Sequence, residues 1–431
     1  MFLSTTLMLR GTRGTRHVRS AANAGFQGRY RPCRMGTRTI GILMVLTAVL
    51  VAGCDGQGLR RAPAATNPSP CPQGTPDHLN NPPETNLLSV AASSAREAWS
   101  VGYYTDGANT ARHTLVDHWD GRTWSTMVSP NTDCSVSNVL RSVASSSATN
   151  VWAVGIHSDG QNNINPLSEH WDGSSWAIVP TPAVPGRDAA LNAVTVIDSS
   201  DAWAVGLYVI GDGVAQTLTE HWDGRAWSIV PSPNQPGVVA SLAAIVAINS
   251  HDVWAGGQTG TFSRQPPLLL HWNGVSWSTV SGAPPPPEMF GRWVGADVLG
   301  LSARGPRDVW AVGSFFDDSG SDNAYTLAEH WDGSSWSLTP VDVIIGSPRG
   351  HYFNGVTSFS TSDAWAIDPH SVIKHWDGTR WTMAPGAAPD AFLNAIAGSG
   401  PKDVWIVGLN SVIEHWNGSA WMLVPPPATR K

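Results

Sequence analysis

Charge is scarce in this chain. Asp, Glu, Lys and Arg make up 14% of its 431 residues, and from Cys54 onward only 18 of the 26 basic side chains remain, against 33 acidic ones, for a net charge of −15. A surface so short of cations has no general basic footprint for nucleic acid or for an anionic bilayer. Cysteine is nearly absent too: after Cys54 only Cys71 and Cys134 occur, too few for a disulfide framework. No long stretch carries helical periodicity and Gly and Pro punctuate the chain throughout, so the composition points to an all-β protein with a large core. The apolar run 40–52 is too short for a comfortable membrane span.

That run follows Arg38, and every basic residue ahead of it is Arg, with no Asp or Glu among them. Charge followed by an apolar segment is the order of an export signal. The segment ends Val51-Ala52-Gly53-Cys54, which resembles a bacterial lipobox. The resemblance implies a signal over residues 1–53, with Met35 as an alternative start, and lipidation of Cys54. Acyl chains there would hold the protein on the outer face of the cytoplasmic membrane without spanning it. Residues 54–85 are polar and Pro-rich, including Asn67-Pro68-Ser69-Pro70, and read as a tether. An exported location permits Cys71 and Cys134 to pair, clipping the tether to the loop after the first repeat; two free thiols are the alternative.

Tryptophan, by contrast, is abundant and periodic. Copies of Asp-Val-Trp-Ala-Val-Gly, each followed by Glu-His-Trp-Asp-Gly-x-x-Trp-Ser, place a leading Trp at 99, 152, 203, 254, 310, 365 and 405. With the paired Trp119/Trp124, Trp171/Trp176, Trp222/Trp227, Trp272/Trp277, Trp331/Trp336, Trp376/Trp381 and Trp416/Trp421, the repeat absorbs all but Trp293 of the 22 tryptophans. Each copy holds four strand candidates; in the third they are 191–197, 202–208, 217–222 and 227–230. Alternation along the second puts Trp203 and Val205 on a bulky face and Ala204 and Gly206 on a notched one, so neighbouring sheets can interlock. A four-stranded sheet apolar on both sides needs cover on both, and seven arranged radially provide it. An open solenoid would need polar end repeats, whereas the first and last copies carry the full tryptophan set. The expected fold is therefore all-β, a seven-bladed β-propeller over 86–426 with four antiparallel strands per blade. Its blades run approximately 86–133, 134–186, 187–237, 238–287, 288–346, 347–388 and 389–426, with 427–431 as a tail, and residues 78–86 are free to supply a closing strand.

The run from His221 to Pro233, an aromatic-Asp turn followed by Trp and an apolar-Pro exit, resembles the kelch repeat. Kelch repeats also build the central domain of galactose oxidase. The kelch double Gly occurs here only at Gly256-Gly257, and the Asp-Gly-x-x-Trp turn is one residue shorter than the Asp-box of sialidases. Kelch propellers bind, scaffold and catalyse, so this resemblance implies the fold and leaves the function open.

The repeated residues read as scaffold. A Trp buries about 150–250 Å², worth roughly 4–6 kcal/mol at most, and the seven histidines from His118 to His415 are spread one per blade, where three cannot meet on one metal ion. Each is expected to satisfy a buried turn, and the acidic residue before the second strand to act as a turn acceptor. No metal or other cofactor is called for; the loop Asp317–Asp322 offers oxygens for Ca²⁺ but lacks the spacing of a known calcium loop.

Connections between second and third strands, and between blades, vary in length and should share one face. The candidate ligand-binding residues there are Phe290, Arg292 and Trp293 in the interblade loop 281–297, with Arg349, His351 and Tyr352 in the next. Aromatics beside Arg suit a sugar ring or a peptide; plugging the loop onto the rim is the structural alternative. The expected function is a non-catalytic, monomeric, membrane-anchored module that binds a glycan or an exported protein. A sialidase-like hydrolase, drawing on Arg112, Arg187, Arg264, Arg292 and Arg349 with Glu288 and Tyr352, is the alternative. A galactose-oxidase-like copper site is disfavoured because Cys134 has no evident Tyr partner.

Overall fold

The computed structural model describes residues 84–105, 111–211, 213–260, 267–285, 293–317, 324–341 and 351–427. Among the described residues there are 28 strands and no helix, in seven consecutive antiparallel groups of four, the fourth and fifth bridged between Gln258 and Asp297. In the third group the strands are Ala189–Asp198, Asp201–Ile210, Val214–Trp222 and Trp227–Ile229, hydrogen-bonded in sequence order. The second and third strands run further toward their shared connection than their apolar pattern alone requires, so the long connections of blades two and three are largely hairpin arms rather than loops. First strands touch one another blade to blade around a closed cycle, the last meeting the first. The molecule is a seven-bladed β-propeller with first strands innermost.

The interlock inferred from strand alternation is present. Trp203 and Val205 pack into the fourth blade with Leu242, Val253 and Leu270, while Ala204 lies in the cluster that receives Trp152 from the second. The Trp203 ring sits 4.9 Å from Trp272 and 5.3 Å from Trp277, edge-on to the latter at 89°. Every second-strand Trp makes this pair of contacts with the following blade, and Trp405 makes it with Trp119 and Trp124 at 5.0 and 5.2 Å. That last contact closes the ring. Every blade, the first included, takes its four strands from one continuous segment, so no strand is exchanged at the seam. Asn394 Nδ2 donates to Leu87 O at 2.7 Å, and Asn410 N–H to Thr85 O at 2.8 Å, across it.

The repeated polar residues support that packing. His221 lies against Trp203, ring centroids 4.5 Å apart, and its Nε2 is 2.9 Å from Asp201 Oδ1. The same bond, at 2.7–2.9 Å, joins each of the seven repeat histidines to the residue that opens the second strand, Asn150 taking the acid's place in blade two. The expected turn acceptor and the expected histidine donor are thus partners of one another. At the next turn Asp223 Oδ1 accepts the N–H groups of Arg225 and Ala226, both at 2.9 Å, while Gly224 adopts φ +89°, a conformation open to Gly.

Gly206 has a different role from the one its notched face suggested. A Cβ there would lie 1.9 Å from Ala190 O of its own blade, because the first strand is irregular at that point and its backbone presses on the second. The notch admits backbone, not a neighbour's indole.

Just before the repeat histidine, a third-strand side chain points into the blade interface: Asp117, Glu169, Glu220, Leu270, Glu329, Lys374 and Glu414, all buried. Glu329 accepts the N–H of Ala283, and Glu414 those of Ala387 and Ala388, from the preceding blade's exit. Ala283 and Ala387 each lie six residues beyond a fourth-strand Trp. At the corresponding position ahead of blade three stands Pro182, which has no N–H, and neither Glu220 oxygen has a hydrogen-bond partner among the described residues. Burial pushes Glu220 up to about 8, and Glu169 and Glu329 to about 8 and 7 against the opposing bonds from Ser129 and Ala283. Because these carboxyls hold protons more tightly folded than unfolded, their stabilisation is complete below the ordinary carboxylate range and declines as pH rises toward 8. Blade four already places Leu at this position. Glu220→Leu is accordingly expected to raise stability by about 1–3 kcal/mol at pH 8 and by less at pH 5, read from urea unfolding at the two pH values.

Candidate ligand-binding site

Antiparallel order puts the second-to-third-strand connections and the interblade connections at the same end of every blade. Of the residues proposed from sequence, Phe290, Arg292 and Arg349 lie outside the described residues. Trp293 is not in a loop: it opens the strand Trp293–Gly305 and pairs with Asp317, so the first strand of blade five extends further than turn signals indicated. His351 and Tyr352 immediately precede the first strand of blade six, Gly355–Ser360, and there the repeat breaks.

The break is at Asp368. In the other six blades a Gly ends the second-strand motif and packs on a first-strand carbonyl, with Cβ clearances of 1.8–2.1 Å at Gly102, Gly155, Gly206, Gly257, Gly313 and Gly408. In blade six that position is Asp368. A side chain fits because the first strand begins only at Gly355, opposite Ile367, leaving the space beside residue 368 to the incoming loop. His351 occupies it, its Nδ1 2.5 Å from Asp368 Oδ2. Asp368 is 1% exposed, and its Oδ1 also accepts the N–H groups of His370 at 2.7 Å and Val372 at 3.1 Å. Three donors on one buried carboxyl fix the imidazole.

Around this pair the groups are varied. Tyr352 is pushed up to about 12, first by burial and then by the carboxyls of Asp297 and Asp368, so its phenol keeps its proton. Burial raises Asp297 to about 6, opposed by bonds from the Ser314 hydroxyl and N–H. His370 is exposed, with its ring 6.3 Å from His351 and 6.1 Å from the 40%-exposed Phe392. The cluster offers hydrogen-bonding heads next to an exposed aromatic. Among the described residues, no hydroxyl or thiol is bonded to the free nitrogen of His351, and no three His, Cys, Asp or Glu converge as metal ligands.

Sequence reasoning placed His351 and Tyr352 but not Asp368, the group that orients His351. Its signal was available: six Gly and one Asp at a single repeat position. Cys134 is disulfide-bonded; Cys54 and Cys71 lie outside the described residues, as does all of the loop Asp317–Asp322 except Asp317. Among the described residues no helix is long and apolar enough to cross a membrane.

No protein-family model matches the chain, and no curated protein matches it. Many solved structures do. YCF48 from Cyanidioschyzon merolae is similar at 15% identity and a TM-score of 0.51, over 78% of this chain and 97% of that one. YCF48 bound to D1 peptide matches at 14% and 0.46, over 80% and 99%, and the fucose-specific lectin from Aleuria aurantia at 15% and 0.39, over 67% and 96%. At such identities the likeness concerns the fold, and it agrees with the blades described above: this chain is a β-propeller.

Proposed function

We propose that the protein is a non-catalytic binding propeller, held on the outer face of the bacterial cytoplasmic membrane by lipid on Cys54, that takes a glycan or an exported protein on its loop face. The observation that carries this reading is the Asp368–His351 pair. The ring's repeated residues are occupied by blade packing, while blade six gives up the repeat's glycine to fix His351 beside the exposed His370, whose ring lies against the exposed Phe392. Arg349 precedes His351 by two residues, and Phe290, Arg292 and Trp293 precede Asp297, whose carboxyl acts on Tyr352; all four are proposed to extend the site. The disulfide at Cys134 supports the reading of an exported chain, with Cys71 as its proposed partner.

A glycan array combined with pull-down from envelope extracts tests the binding role; turnover of fluorogenic glycosides by the purified protein would replace it with a hydrolase. Once a ligand is found, His351→Ala and Asp368→Gly are each expected to weaken it about tenfold or more, ~1.4 kcal/mol. Asp368→Gly also leaves the N–H groups of His370 and Val372 without their acceptor, so it should lower the melting temperature as well, and His351→Ala is the variant that decides. Anchoring is read separately: Cys54→Ser should move the protein from the membrane fraction to the soluble one and abolish labelling by a palmitate analogue.

A further inference from the structure

On the loop face of blade two the repeat lapses a second time. In blades one and three the connection that leaves the fourth strand is tied back to the third strand of the same blade. Asn131 Oδ1 accepts the Thr114 N–H at 3.0 Å, and Asn234 Oδ1 accepts the Thr217 N–H at 2.9 Å. Hydroxyls complete the tie, Ser129 donating to Thr114 Oγ1 at 3.0 Å and Ser232 Oγ standing 2.8 Å from Thr217 Oγ1. In blade two the third-strand Thr is replaced by Pro166, with neither N–H nor hydroxyl, and the Asn by Ala183, while Thr181 keeps its hydroxyl. Both halves of the tie are lost together. Blade four also carries Pro at the third-strand position, Pro267, but a Cβ on the facing Gly282 would lie 2.8 Å from its ring, so strand and exit touch there. Blade two has Thr181 where blade four has Gly282, and a cleft of about 320 Å³ lies between Pro166 and exit residues 181–184.

The second strand shapes the same cleft. Blades one and three place Tyr104 and Tyr208 at its mouth, each engaged with its register partner: the Tyr104 ring lies 5.2 Å from that of His113, and the Tyr208 hydroxyl donates to Gln216 Oε1 at 2.9 Å. Blade two has the smaller His157 opposite Asn165, and both line the cleft. His157 Nδ1 lies 3.3 Å from Ser158 O, and Asn165 Nδ2 donates to Asn163 O at 3.4 Å. A carbonyl facing Nδ1 places the ring proton there and leaves Nε2 as an acceptor. Burial pushes His157 down, against the Ser158 bond and the charge of Asp159, so the ring is neutral at neutral pH. The exit wall is fixed, because Val184 packs with Tyr208 against the interface cluster around Trp152.

We infer that this cleft binds one neutral sugar residue, its C–H face on Pro166, Pro182 and Val184 and its hydroxyls toward His157, Asn165 and Thr181. At about 320 Å³ the cleft stands at the low end of small-ligand pockets, which begin near ~300 Å³, and it holds a single ring. None of its lining side chains is charged, so an ionic group would enter without compensation. An acceptor nitrogen, an amide and a hydroxyl match groups that both donate and accept, as sugar hydroxyls do, while proline and valine cover C–H surface. The inference rests on the glycan-binding reading above and narrows it to a neutral sugar, on residues of blade two separate from the His351–Asp368 cluster of blade six.

The test is saturation-transfer NMR on the full chain with the methyl glycosides of glucose, galactose, mannose and N-acetylglucosamine, and with N-acetylalaninamide as a peptide probe. At least one glycoside is expected to give signal, strongest on its ring C–H protons, and the peptide probe none. Pro166→Thr combined with Ala183→Asn rebuilds the tie of blades one and three and should cut that signal at least fivefold. Thr181→Val keeps the side chain's shape, removes one hydroxyl and should lower the signal as well; it decides if the double variant melts at a lower temperature. His351→Ala should leave the glycoside signal intact, since a single ring fills the cleft alone. No signal from any glycoside, equal signal from the peptide probe, undiminished signal in a variant that melts like the parent, or loss of signal in His351→Ala would overturn the assignment. A glycoside signal that falls only in the cleft variants would uphold the cleft even where the array and the pull-down return nothing that depends on His351, so the two readings fail separately.

Discussion

The structure depends on one contact made seven times: an indole from the second strand of a blade lodged between two indoles of the next. Everything else in the repeat serves it. The histidine covers the indole's other side, the acid or amide at the strand's start holds the histidine, and the Asp-Gly turn sets the spacing of the two receiving tryptophans. Because the contact reaches only forward, each blade is a wedge on one side and a socket on the other, and the apolar area buried is shared between blades rather than held within one. A single blade has no independent core.

This arrangement explains why chemistry collects at the places where the repeat lapses. A blade interface that buries Glu220 without a donor tolerates it only as a neutral acid, and the fourth blade's Leu270 shows that the position has no need of a charge. The loop face follows the opposite logic. Asp368 is buried with three donors, so its carboxyl is committed to fixing a neighbouring side chain. Charge satisfied within the fold is architecture.

The ring was legible in the sequence because its determinants are local and repeated: the Trp spacing, the Asp-Gly turn and the alternation along the second strand each occur in every copy. The bond between His221 and Asp201 was half legible. Both residues were marked as turn partners, but their meeting depends on the register of two strands, which propensity does not reveal. Trp293 misled because an aromatic outside the repeat looks like a loop residue, while its backbone extends a strand toward Asp317. Asp368 is hidden for a different reason. Its significance lies in the Gly that the other copies have at the same position, so only a comparison between blades reveals it.

The seam between the last and first blades holds no shared strand and is built on the same indole contact as the other six junctions. Topologically, then, the ring has no privileged beginning. A chain reordered to start at any interblade connection would present the same wedges to the same sockets, and a gene lengthened or shortened by one copy would still offer compatible ends. The uniform junction makes blade number a matter of how well curvature accumulates around the circle, which leaves this architecture open to change by duplication.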